Sequence, residues 1–109
     1  MATPATARTN ANCQAIAAEF VRQGAELAVA EEFAYVIAPR ESGCVPQEVN
    51  NATDLSFSRI GLNFKGSMPM YWGNLCGVTD YRLTADLIVD VRCGLAAYRA
   101  LGWKPWAVG

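Results

Sequence analysis

Apolar residues along the chain fall into three stretches of helical period, separated by a region in which that period is lost. From about Ala11 to Gln23, Ile16, Ala17, Phe20 and Val21 recur at helical spacing, with Thr9 or Asn10 placed to cap the start and Gly24 to break the end. A second stretch runs from about Glu26 to Arg40. At ~100° per residue its Leu27, Ala30, Ala34 and Ile37 share one face, and Glu41 falls on that same face. The third stretch, from about Ala85 to Leu101, aligns Leu87, Val91, Leu95 and Tyr98. Asp86 lies in its first turn, where negative charge suits the helix dipole, and Gly102 is placed to end it. Gly94 inside this helix costs ~1 kcal/mol relative to alanine, which predicts the close passage of another backbone, that of the second helix.

Residues 44 to 67 change character. Pro46, Asn50, Asn51, Asp54, Gly61 and Gly66 punctuate short β-prone pieces at Leu55–Phe57 and Ile60–Phe64, which predicts a small hairpin or an irregular lobe. From Ser67 to Asp80 a Pro- and Gly-interrupted stretch carries Met68, Met70, Tyr71 and Trp72, and reads as a lid-like loop or short helix. Phe33, Tyr35, Trp103 and Trp106 are assigned to the core or its flank. The expected class is therefore mainly α (α+β), with about three main helices and a small β-hairpin lobe.

Composition narrows this to one folding unit. The chain has 109 residues, of which 52% are hydrophobic and 17% charged, so there is apolar surface for one core and no length for a second domain. Residues 11–109 are expected to form that domain, and residues 1–10 a flexible arm able to dock on a partner chain. The net charge is −1 and the pI about 5.3, so no positive field attracts nucleic acid or an anionic membrane. No apolar run approaches the ~18 residues of a membrane span, and Met1–Asn10 lacks the basic start and apolar centre of a secretory signal.

Cys13, Cys44, Cys76 and Cys93 contain no Cys-x₂₋₄-Cys knuckle, and the chain has no histidine, so no metal site and no cofactor is expected. Four cysteines allow three pairings. The preferred one joins Cys13 to Cys44 and Cys76 to Cys93, each bond stabilising by ~3 kcal/mol through chain entropy; four reduced buried thiols are the alternative.

Glu41 is the candidate catalytic residue. A carboxyl on the buried face loses hydration, its charged form is disfavoured, and its pKa is expected to rise toward the range of a general acid. A solvent-facing glutamate at a helix end is the plainer alternative. Pro39, which removes one helical N–H and restricts Ala38, weakens the phase count on which the burial rests.

The run Arg40-Glu41-Ser42-Gly43-Cys44-x-Pro46 resembles the acid motif of the lysozyme-like transglycosylase superfamily, in which a helix-terminal Glu-Ser precedes a turn. Asn50-Asn51-Ala52-Thr53-Asp54-Leu55-Ser56-Phe57 is similar to that family's polar turn before its short sheet. Gly61-Leu62-Asn63-Phe64 stands where it carries Gly-Leu-x-Gln-Ile-Asn, and Gly102-Trp103-Lys104-Pro105-Trp106 resembles a family ending. The likeness covers roughly residues 31 to 109. It implies a lysozyme-like fold whose lobe and acid helix flank a saccharide cleft, with Glu41 as catalytic acid and Asp54, Ser56, Phe57 and Asn63 as substrate contacts; Tyr71 and Trp72 offer flat faces on which sugar rings could lie, and one of the two is expected to bind. Aligning Asn63 with the family's Asn puts Ser58 where Gly is usual and Gly61 where a substrate-binding Gln is usual.

The implied activity is cleavage of peptidoglycan glycan strands, as a lysozyme or lytic transglycosylase. Cell-wall lysozymes are usually basic, so an acidic one is expected to reach its polymer as part of a phage virion or other wall-penetrating assembly, in an extracellular or virion-associated setting. The competing expectation is a structural or docking subunit that keeps the fold with weak or no catalysis.

Overall fold

A computed structural model describes residues 4–65 and 75–106. Among them the elements are α1 (Pro4–Ala7), α2 (Ala11–Arg22), α3 (Leu27–Glu32), a wide π-helical turn (Phe33–Ile37) and α4 (Ala38–Ser42). Strands β1 (Val49–Asn50) and β2 (Leu55–Ser56), a 3₁₀ turn (Tyr81–Ala85), α5 (Leu87–Leu101) and a closing 3₁₀ turn (Lys104–Trp106) complete the order. The mainly helical class with a small antiparallel sheet is what the chain forms.

Helix α2 starts where its cap chemistry says it should. The Asn10 side chain accepts the N–H groups of Asn12 and Cys13 at 2.9 and 3.1 Å, satisfying two donors that a helix start leaves open. Gly24, at φ 97°, turns the chain toward α3 in a conformation that a side chain disfavours. Cys13, Ile16, Ala17 and Phe20 are buried, whereas Val21 of the expected apolar set faces solvent.

The acid-bearing helix departs from expectation. It is helical from Leu27 to Ser42, not Glu26 to Arg40, and is interrupted by the Phe33–Ile37 turn. Pro39 offers no N–H to the carbonyl of Tyr35, and the ladder widens just before it. A wide turn takes up one extra residue and rotates α4 relative to α3. Ala30, Ala34 and Ile37 remain buried, but Leu27 is 64% exposed and Glu41 faces the surface. The face shared by all five residues, and the burial of Glu41 that depended on it, are not realised.

The core is assembled from aromatic rings on three elements. Phe20 of α2 stacks on Phe33 at 4.4 Å between centroids, and Trp103 and Trp106 meet Phe33 at 4.9 and 4.8 Å. Such ring pairs add roughly 0.5–1.5 kcal/mol each beyond the area they bury. Helix α5 packs on α2 with Val91 and Leu95 inward, and its cap is Asp86, whose carboxylate accepts the N–H groups of Ile88 and Val89. At Gly94 a Cβ would run into Ile60 Cδ1, so the close neighbour is a side chain from the lobe and not the backbone of the acid helix.

Both preferred disulfides are present. Cys13–Cys44 ties α2 to the residue beyond α4, and Cys76–Cys93 ties the segment before α5 to that helix, with Cα atoms 5.1 and 4.8 Å apart. The arm expected to be free over residues 1–10 lies instead on its own domain from Pro4 onward. Helix α1 packs on the wide turn with Ala7 buried, and the Arg8 guanidinium pairs with Glu31 at 2.9 Å and covers the Tyr35 ring at 4.7 Å. Burial of the Ala7 methyl and the stacking of Arg8 give this segment contacts that its polar composition does not advertise. Among the described residues no helix is long and apolar enough to cross a membrane.

Candidate functional site

The end of α4 is held from three sides, and this fixes where Glu41 projects. Gly43 adopts the left-handed conformation at φ 68°, and the N–H groups of Gly43 and Cys44 return to the carbonyls of Pro39 and Ala38 at 3.3 Å. Ser42 Oγ donates to the carbonyl of Arg59 at 2.6 Å, joining the helix end to the lobe. Arg40 Nη2 donates to the carbonyl of Trp106 at 3.1 Å, while Trp106 Nε1 donates to the carbonyl of Ile60 at 2.8 Å. Trp106 therefore bridges the neighbour of Glu41 and the neighbour of Gly61. This is the structural work of the Gly-Trp-x-Pro-Trp ending.

The opposite wall is the lobe, and its hairpin differs from the expected one. Leu55–Ser56 pairs with Val49–Asn50, in the register Val49 with Ser56 and Asn50 with Leu55, and not with Ile60–Phe64. The reason is Asn51, whose Oδ1 accepts the N–H groups of Thr53 and Asp54 at 2.9 and 2.8 Å and closes the turn ahead of β2. Residues 60–64 run alongside, attached through Phe64 N–H to the Leu55 carbonyl at 2.7 Å, with Ile60 and Leu62 in the core.

Between these walls lies a cleft of about 260 Å³ lined by Glu41, Gln47, Val49, Asp54, Ser56, Ser58, Gly61 and Asn63. Four of the seven candidate residues, Glu41, Asp54, Ser56 and Asn63, thus meet in one place. Phe57 does not line it. Successive side chains of an extended chain point to opposite faces, and Phe57 comes directly after Ser56. Tyr71 and Trp72 lie outside the described residues. Larger hollows occur elsewhere, one of them of about 300 Å³ between Gly24–Glu26 and Leu95–Arg99, but they gather none of the candidate groups.

Glu41 is about a third exposed, with its side chain at 32%, and its Oε2 accepts from Arg40 Nε at 3.2 Å. The carboxylate lies against the backbone of Gly61. A Cβ at Gly61, where φ is 76°, would stand 2.7 Å from Glu41 Oε1 and 3.1 Å from its Cδ. This backbone approach leaves no room for any side chain at position 61 unless Glu41 moves.

Asp54 is held across the cleft. Its Oδ1 accepts from Asn63 Nδ2 at 3.0 Å and its Oδ2 from Thr53 Oγ1 at 2.8 Å. Asn63 is fully engaged: its Oδ1 also takes the N–H groups of Leu55 and Lys65 at 3.0 Å, and its Nδ2 reaches the Thr53 carbonyl at 3.1 Å. It lines the cleft but positions Asp54 and the strand, with no hydrogen-bonding capacity left for a ligand.

Beneath the cleft runs a buried polar network that sequence reading missed. Asp90, 1% exposed, accepts Ser58 Oγ on Oδ1 at 2.6 Å, and on Oδ2 the Arg59 amide at 2.8 Å and Arg59 Nη1 at 3.2 Å. Burial pushes the Asp90 carboxyl up to about 6, against the opposing pull of Ser58 and of the Arg59 amide and guanidinium. An acidic residue in the middle of an apolar helix face was the available signal. Gln47 and Val49 carried none, since they enter from a loop without periodicity. No group of residues suited to hold a metal ion occurs among the described residues.

Comparison with known proteins finds no family model, no curated protein and no solved structure that matches this chain. The likeness to lysozyme-like enzymes rests on the motif residues alone.

Proposed function

We propose that the protein is a peptidoglycan-cleaving muramidase, a lysozyme or lytic transglycosylase, that uses Glu41 as its general acid and serves within a phage virion or other wall-penetrating assembly. The observation that carries this reading is the meeting of Glu41, from a helix end, with Asp54 and Ser56, from a β-lobe, across one cleft. Glu41 gives its proton to the glycosidic oxygen between N-acetylmuramic acid and N-acetylglucosamine, and the C–O bond breaks as positive charge grows on the anomeric carbon. In the transglycosylase branch the Glu41 carboxylate then takes a proton from the sugar's own hydroxyl, which closes an anhydro ring. In the hydrolytic branch water attacks, and Asp54 is the second carboxylate. The two disulfides suit an oxidising, extracellular setting.

A docking subunit with little catalysis is the second reading. It is favoured by Gly61, which supplies no side chain where the resemblance puts a substrate-binding Gln. Turbidity clearing of purified cell walls separates the two. Glu41→Gln keeps the shape of the side chain but delivers no proton, so clearing is expected to fall by at least ~10²-fold with the circular dichroism unchanged. Asp54→Asn loses clearly less if the product is an anhydro sugar. Equal clearing by wild type and Glu41→Gln removes Glu41 from the site; a folded wild type inactive on several wall types leaves the docking role.

A further inference from the structure

Ser58 and Gly61 line the floor of the cleft, and the segment 58–61 that carries them lies outside the two-stranded sheet, so something other than a strand ladder must fix it. Its anchors can be counted. Ser58 Oγ donates to Asp90 Oδ1 at 2.6 Å and accepts the Ile60 N–H at 3.0 Å. The Arg59 amide and guanidinium both reach Asp90 Oδ2, and the guanidinium is braced by the carbonyls of Thr84 and Ala85 at 3.3 and 3.0 Å. Gly61, next in line, receives the Glu41 carboxylate. One buried carboxylate on α5 thus holds both residues that precede Ile60.

We propose that Asp90 is a positioning residue for the cleft: as a carboxylate it holds Ser58 and Arg59, and through them the backbone of Gly61 against which Glu41 is set. The activity part of this proposal rests on the muramidase reading above. The placement of the 58–61 segment does not.

The chemistry of the pair makes the arrangement dependent on a proton. The ionised Asp90 accepts on both oxygens, which matches the three donors aimed at it. A proton on Oδ1 turns that oxygen into a donor toward Ser58 Oγ, and the Ser58 hydroxyl hydrogen must then point elsewhere, with the cleft as its open side. A proton on Oδ2 leaves the Arg59 N–H groups facing an O–H. Either way the hydrogen-bond polarity of the floor changes. Arg59 is the charged side chain facing Asp90. The Tyr81–Ala85 turn brings Arg82, which is occupied by Asp80, and α2 brings Gln23, whose amide is spent on Glu19 and the Ile88 carbonyl.

Trp106 supplies a reporter that needs no activity, because its indole N–H donates to the carbonyl of Ile60 inside the controlled segment. In ¹⁵N-correlated NMR spectra, with the resonance assigned by Trp106→Phe, the indole N–H of wild type is expected to shift with a midpoint near pH 6. Asp90→Asn should abolish that shift. In wall clearing, Asp90→Asn should match wild type at pH 5 and fall about tenfold below it at pH 7, the size of loss that a small misplacement of reacting groups produces. Taking the ratio of variant to wild type at each pH isolates the effect of residue 90. If Asp90→Asn does not fold, Ser58→Ala decides: it removes one hydrogen bond to the charged form and should move the indole midpoint upward. An indole titration that persists in Asp90→Asn, or a midpoint unmoved in Ser58→Ala, overturns the proposal. A wild type that titrates as expected but clears no walls leaves the positioning intact and removes the muramidase reading instead.

Discussion

The two walls of the cleft are built by opposite means. The helical wall is held by apolar contact: Phe20, Phe33, Ala34, Ile37 and Ala38 are all buried, Phe33 touches four other aromatic rings, and Cys13–Cys44 locks the end. The lobe has strands of two residues each, too short to stand on ladder bonds. Its shape is set by single polar side chains that each satisfy several backbone groups, Asn51 in the turn, Asn63 across the strand and Asp90 beneath the floor. The lesson is one of failure modes. Close packing spreads the loss of a side chain over the whole domain, whereas a polar pin fails where it stands.

The sharpest test of that contrast is Phe33→Ala. Phe33 is fully buried at the junction of α2, the wide turn and the C-terminal tryptophans, so its truncation leaves a cavity among rings that cannot collapse independently. A loss of about 3–5 kcal/mol is expected, read as a lowered urea midpoint with unchanged slope. A loss below about 1 kcal/mol would mean that the helical wall is held by its disulfide and not by packing.

Next in size is the effect of pH on stability. The folded pKa of Asp90, about 6, lies above its ordinary value of 3.8, so the neutral form favours the fold. The stability this contributes is full below about 3.8 and is lost as pH rises through 6, at most about 3 kcal/mol. The urea midpoint should therefore fall between pH 4.5 and 7 in wild type and stay level in Asp90→Asn. Glu19, held below the usual range by hydrogen bonding to Arg22 and Gln23, acts with the opposite sign and only at lower pH. Stability and the positioning of the floor thus have opposite slopes through pH 6. A midpoint that rises over that interval would show the Arg59 pair outweighing burial.

The same contrast explains what could be read from the chain. Helical periodicity located α2 and α5 within a residue or two, since their apolar residues repeat along uninterrupted ladders. It failed at Glu41, because Pro39 forces a wide turn that shifts the phase by a residue, a backbone event that leaves no trace in the spacing of side chains. The resemblance singled out Glu41, Asp54, Ser56, Phe57 and Asn63 from a Glu-Ser helix end and a polar stretch; four of these five line one cleft and Phe57 does not. The hairpin partner was misassigned for the converse reason: Asn51 chose Val49–Asn50 by a side-chain bond in the turn, and strands of two residues have too little alternation to announce themselves. The Asp90 network spans 32 positions to Ser58, and nothing in a linear sequence marks such a pair.

The smallest expected effect on stability is also the most informative about the lobe. Asn63→Ala leaves the N–H groups of Leu55 and Lys65 without their acceptor and frees Asp54 from one of its two donors. Water reaches this edge of the lobe, so the cost is expected near 1–2 kcal/mol, well under that of Phe33→Ala. The loss should be local. Hydrogen exchange at the Leu55 amide should quicken while amides in α2 and α5 keep their protection, and in the hydrolytic branch of the proposed function wall clearing should fall about tenfold as Asp54 loses its fixed direction. Equal acceleration of exchange in the helices would make lobe and helical layer one cooperative unit, and the contrast between packed wall and pinned wall would be wrong. Unchanged exchange at Leu55 would point instead to the pairing with Val49–Asn50 as sufficient on its own, and Asn63 would be a bystander at the cleft.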